Sequence, residues 1–184
     1  MKLLSTSVLA VVILGSISAL AWGFSRGSGK KVLAEVPAAH EALRPQIYDE
    51  KTDGHVLVNA ALAKAKIEHH YVLVQWGGNW CSWCIVLHAL YEKDPEISKL
   101  LRDKYELVML DTNDRNMPMV KELGASMEHG VPYLTILNAD GKPLVQQETE
   151  SLEVKNAEGK SAGVSAGHDR EKVLAFLKSH ATNP

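Results

Sequence analysis

The sequence predicts an α/β domain: a mixed central sheet with helices on both faces, closed by a C-terminal β-hairpin plus helix. Three observations carry the layered part of this expectation. Helical and strand-like patterns alternate from Asp53 onward. Residues 71–76 are apolar without polar alternation, the pattern of a strand covered on both faces. Two further strand-like runs, 133–137 and 144–147, flank Asn138-Ala139-Asp140-Gly141, a hairpin turn signal.

Each element has its own local warrant. Asp53 can cap a helix in which Val56, Leu57, Ala60, Ala61, Ala65 and Ile67 approximate a 3.6-residue stripe. The buried-type strand 71–76 follows, and then a helix over 80–93 with Leu87, Leu90 and Tyr91 turned inward. Asp94-Pro95-Glu96 is a helix start, with a capping acid, a proline in the first turn and a second acid on the dipole. A second strand over 106–110 ends at Asp111, and a short helix over 117–123 is stopped by Gly124. After the hairpin, residues 148–168 are polar and rich in Gly, Ser, Glu and Lys, which reads as an exposed excursion. Asp169 then caps a last helix with Val173, Leu174, Phe176 and Leu177 on its apolar side.

The 184 residues leave room for one domain plus extensions, and 46% hydrophobic with 23% charged residues is an ordinary globular balance. A net charge of −2 gives no footprint for nucleic acid. The N-terminus departs from that balance. Lys2 precedes an almost uncharged run over 3–24, and Ala19-Leu20-Ala21 has the small-x-small form of a signal-peptidase site. The expected organisation is a signal peptide over 1–21, a tether over 22–45 and the folded domain over 46–184, exported to the periplasm or another extracytoplasmic space. The alternative is an uncleaved anchor, since the run is long enough to span a bilayer. Arg26, Lys30 and Lys31 outnumber Lys2, and on charge counting alone that pattern disfavours export of the C-terminal side.

The chain has two cysteines, Cys81 and Cys84, in Trp80-Cys81-Ser82-Trp83-Cys84. Two cysteines cannot build a four-cysteine zinc site, and Ile85 stands where a haem-attachment motif needs histidine. At the start of a helix such a pair can cycle between dithiol and disulfide. Free amides and the helix dipole there favour a Cys81 thiolate, and Cys84 lies one turn later, within bonding distance. An inert staple is the plain alternative, but closing so short a loop removes little unfolded-state entropy. With His88 the pair also reads C-x2-C-x3-H, three possible ligands for copper or zinc, so an exported metallochaperone is the rival function.

The segment 72–84, then Gly130-Val131-Pro132-Tyr133, then Asn138-Ala139-Asp140-Gly141-Lys142 together resemble the thioredoxin superfamily, over about residues 48–180. The C-x-W-C form with His88 shortly after is most similar to exported bacterial thioredoxin-like proteins. The resemblance implies a protein thiol–disulfide oxidoreductase in which Cys81 is the exposed nucleophile and Cys84 the buried resolving thiol. Pro132, matching the family's cis-proline, is implied to sit opposite Cys81 and, with Val131, to hold an extended substrate. Trp80 and Trp83 are candidates for an apolar substrate surface, with Trp80 expected beneath the motif and Trp83 exposed.

The implied partners are protein dithiol or disulfide substrates and a redox partner protein. A monomer needing no organic cofactor and no metal is expected, with membrane contact only through an uncleaved N-terminus. Two departures stand out: Gln75 occupies the place of thioredoxin's buried aspartate, and Met109 falls near that of its lysine. His129 is a candidate lining residue of the Pro132 groove, whereas His69, His70, Asp111 and Asp114 are assigned no chemistry.

Overall fold

The computed structural model describes residues 44–181, so the expected signal or anchor over 1–21 and nearly all of the tether over 22–45 lie outside the described residues. The described elements run α1 (Gly54–Glu68), β1 (Tyr71–Gly77), α2 (Ser82–Lys93), α3 (Pro95–Lys104), β2 (Tyr105–Asp111), α4 (Met117–Glu122), β3 (Tyr133–Leu137), β4 (Pro143–Glu148) and α5 (Arg170–Ser179). The sheet order is β2-β1-β3-β4. β1 pairs in parallel with β2 and antiparallel with β3, and β3 with β4 forms the closing hairpin. This is the mixed sheet that the sequence predicts.

β1 is buried along its whole length because it has a strand on each edge and helices on each face. Its side chains alternate between two cores, as a pleated strand requires. Tyr71 and Leu73 pack with Leu87 of α2, Ile97 of α3 and Leu177 of α5. Val72, Val74 and Trp76 pack with Val58 and Ala65 of α1 and with Met119 of α4. Among the described residues, no helix is long and apolar enough to cross a membrane.

Helix starts follow the capping acids. Asp53 accepts a hydrogen bond from the His55 amide, Asp94 from those of Glu96 and Ile97, and Asp169 from those of Glu171 and Lys172. Arg170 ties α5 to the start of α3 through Asp94 (2.8 Å) and Glu96 (2.6 Å), and its guanidinium holds the Asp94 carboxyl below the usual carboxylate range.

Three expectations are corrected. On α1, Leu57, Ala61 and Ala65 do turn inward, together with Val58, whereas Val56, Ala60 and Ile67 face outward, Ile67 being 77% exposed. The helix expected from residue 80 begins at Ser82, because Cys81 takes the N-cap position with extended backbone. The excursion over 148–168 is exposed through its middle but partly buried at both ends. Thr149, Leu152, Glu153 and His168 are buried, Glu153 bridges His168, and the Asp169 amide donates to the Leu152 carbonyl at 2.7 Å.

Leu73→Ala is expected to lower the unfolding free energy by roughly 2–5 kcal/mol in urea titrations, the range for a fully buried leucine. Ile67→Ala should stay within about 0.5 kcal/mol of the parent protein.

Candidate redox site at the start of α2

β1 delivers the chain to the site and stops at Gly77. A turn follows, closed by the Cys81 amide donating to the Gly78 carbonyl at 3.0 Å. Cys81 and Cys84 are joined by a disulfide with their Cα atoms 5.3 Å apart. The Cys84 amide donates to Cys81 Sγ at 3.1 Å, so a helix-start N–H points at this sulfur and stabilises negative charge on it whenever the pair is reduced. Cys84 is fully buried, as expected. Cys81, expected to be exposed, is only 6% exposed in the disulfide form.

Across from Cys81 stands the Val131–Pro132 segment, whose peptide bond is cis. The Val131 carbonyl oxygen lies 3.6 Å from Cys81 Sγ, a contact rather than a hydrogen bond because a disulfide sulfur has no proton to give. Thr149 braces the segment by donating from its hydroxyl to the Pro132 carbonyl at 2.6 Å. Trp83, Val131, Pro132, His129, Glu150 and Glu153 line a cleft of about 280 Å³ that reaches the disulfide through Val131, the residue in contact with Cys81. The excursion after β4 therefore forms one wall of the site.

The two tryptophans exchange the places expected of them. A side chain at Gly78 would put a Cβ 2.3 Å from Trp80 Nε1, so the indole lies over this glycine, outside the motif, and Trp80 is 54% exposed. Trp83 is half-buried, and its ring meets His168 edge-on at 5.3 Å between centroids.

His88 does not join the cysteines. Its Nδ1 pairs with Glu92 at 3.7 Å, and it lines a separate cavity with Lys64 and Tyr91 that neither cysteine reaches. Among the described residues, no three His, Cys, Asp or Glu side chains are grouped to hold a metal. His69 caps α1 in the left-handed region, and His70 pairs with Glu106 at 2.9 Å. Burial, followed by the charge of Glu50, raises Asp111 above the usual carboxylate range.

Sequence reasoning missed a third layer. Gln75 is fully buried and donates from Nε2 to the Tyr48 hydroxyl at 2.8 Å and to the Cys84 carbonyl at 3.2 Å. Asn79 clamps the segment ahead of α1: its Oδ1 accepts from the Ile47 and Tyr48 amides, both at 2.9 Å, and its Nδ2 donates to the Tyr48 carbonyl at 3.0 Å. Asn79 stands two residues before Cys81 in a segment already singled out, a faint signal. For Tyr48 there was none, because its contacts are entirely tertiary.

His168 is the other unforeseen member. Neither ring nitrogen has a hydrogen-bond partner among the described residues, and burial pushes the imidazole down to about 4 from 6.5. A base whose pKa is depressed by folding stays neutral in the native state while the unfolded chain binds a proton. Its effect is absent above pH 6.5 and destabilises progressively as the pH falls towards 4. His168→Leu should flatten this part of the stability–pH curve. The difference from the parent protein should grow to on the order of 3 kcal/mol near pH 4 in urea titrations at stepped pH.

A family model described as thioredoxin-like matches residues 55–139. A solved structure described as a disulphide isomerase from Xylella fastidiosa Temecula1 is similar, with 26% identity, a TM-score of 0.56, and 73% of this chain and 96% of that one covered. Looser similarities include a DsbH oxidoreductase (20% identity, TM-score 0.44, 65% and 77% covered) and a thioredoxin from Thermus thermophilus (15%, 0.48, 67% and 83%). No curated protein sequence matches the chain. The matched segment and the mixed sheet give this chain a thioredoxin-like fold, with a C-x-x-C disulfide at the start of α2.

Proposed function

We propose that the protein is an exported thiol–disulfide oxidoreductase that exchanges disulfides with protein substrates through Cys81 and Cys84. The observation that carries the reading is the disulfide at the helix start, with the Cys84 amide on Cys81 Sγ and a cleft alongside. An inert staple gains nothing from an amide aimed at one sulfur or from a groove beside it. The similar solved structure from Xylella is described as a disulphide isomerase, the same class of exchange.

In the reducing direction, the Cys81 thiolate attacks a substrate disulfide. A Cys81–substrate bond forms, the substrate bond breaks, and one substrate sulfur leaves as a thiolate that takes a proton from water. The Cys84 thiol then loses its proton to water and attacks Cys81 Sγ. The Cys81–Cys84 bond forms as the mixed disulfide breaks, so the pair is oxidised by two electrons and the substrate is reduced. The oxidising direction is the same sequence reversed, and a partner protein dithiol or disulfide resets the pair. Val131 and Pro132 border the space an extended substrate would occupy, with half-buried Trp83 as its apolar wall and exposed Trp80 as an outer contact.

The export part rests on the sequence: Lys2, the apolar run and Ala19-Leu20-Ala21 support a signal over 1–21, a tether over 22–45 and a working domain over 46–184. Cys84→Ser keeps the attacking sulfur and removes the resolving one, so it should accumulate mixed disulfides with client proteins. Non-reducing gels of cells expressing the variant should show adducts that collapse on reduction. Absence of any adduct would count against the proposal.

A further inference from the structure

The described part of the chain begins ahead of α1 with a short segment that folds against the disulfide, outside the stretch matched by the family model. Its anchor is Asn79, and its functional side chain is Tyr48. The ring packs against Cys81 and Cys84. A Cβ added at Gly77 would stand 2.4 Å from Cys84 Sγ and 2.5 Å from the Tyr48 hydroxyl oxygen, so the two atoms are no more than about 5 Å apart. They share the space left by the missing side chain.

The hydrogen-bond inventory is one-sided. The Tyr48 oxygen accepts from Gln75 Nε2, and among the described residues its own proton goes to no other protein group. Burial above all holds the phenol well above its ordinary range; Asp111's negative charge adds to this, against a lowering by the Gln75 hydrogen bond. Tyr48 therefore remains an O–H donor at every working pH. Cys84, fully buried, has the opposite need. Burial disfavours a thiolate, and the nearby Gln75 amide spends its donors on the Tyr48 oxygen and the Cys84 carbonyl. Gln75 cannot take up a proton, so it cannot act as the base that a buried acid at its position would be.

We propose that Tyr48 donates a hydrogen bond to Cys84 Sγ as it becomes a thiolate, with Gln75 and Asn79 as positioning residues; this rests on the exchange reading above. The donor does not leave its proton behind. Water takes the Cys84 proton, the thiolate attacks Cys81 Sγ, the mixed disulfide breaks, and the hydrogen bond relaxes as charge passes to the departing sulfur. The titratable groups facing this space are Asp111 from β2, with Glu50 beside it, and Tyr91 from α2, whose buried hydroxyl is also raised. None of them is replaced in the test that follows.

Reduced protein is mixed in stopped flow with 5,5′-dithiobis(2-nitrobenzoate). The first thionitrobenzoate reports attack by Cys81, and the second reports resolution by Cys84. Tyr48→Phe should leave the first phase unchanged, slow the second by roughly tenfold or more, and move its pH midpoint upward, as expected when a hydrogen bond to a charged group is lost. Asn79→Ala should slow the second phase in the same sense by freeing the segment. An unchanged first phase shows that each variant still presents a folded helix start. A Tyr48→Phe protein whose second phase keeps the parent rate and midpoint overturns this inference alone. A parent protein that never releases the second thionitrobenzoate overturns the exchange reading, and this one with it.

Discussion

The last residue of β1 has no side chain, and the space this leaves is shared by the buried sulfur of the redox pair and a phenol from the segment ahead of α1. Several elements converge on that point. β1 brings Gly77 in register with Asp111 of β2, α2 brings Cys84, and Asn79 fixes the backbone that carries Tyr48. Any larger residue at Gly77 would collide with a disulfide sulfur, which cannot swing away as the end of a flexible chain can. The dense polar and apolar packing around Cys84 is thus a consequence of one close approach.

The opposite side of the disulfide is looser. There the helix-start amide and the Val131 carbonyl face Cys81, and Val131 in turn borders the cleft. The two sulfurs therefore have different surroundings, Cys84 in packed core and Cys81 next to the Val131–Pro132 segment. The excursion after β4 contributes to this difference, because buried Glu153 and His168 pin its two ends together while His168 supports Trp83 between the cysteines.

Much of the fold was legible in the sequence because its signals are local. The apolar run of β1 and the capping acids Asp53, Asp94 and Asp169 act within a few residues of themselves, and each placed its element closely. The cysteine spacing was equally local, and the disulfide joins the two residues singled out. What escaped depends on contacts between distant parts of the chain. Trp80 and Trp83 exchanged environments because of a bare glycine under one and His168 beside the other. The inner side of α1 was read only in part because its weak apolar pattern allows more than one stripe, and packing on the sheet selects Val58 over Val56, Ala60 and Ile67. Tyr48 carries no motif at all.

The central claim is that the Cys81–Cys84 bond is made and broken in use. Its most direct test is to equilibrate the purified protein with graded dithiothreitol and glutathione buffers, trap free thiols and count them by mass. A cycling pair gives one two-electron transition with a midpoint between about −270 and −120 mV, the span of thioredoxin-like redox pairs. A pair still oxidised in buffers poised below about −300 mV would have the resistance of a structural disulfide, and would contradict the claim.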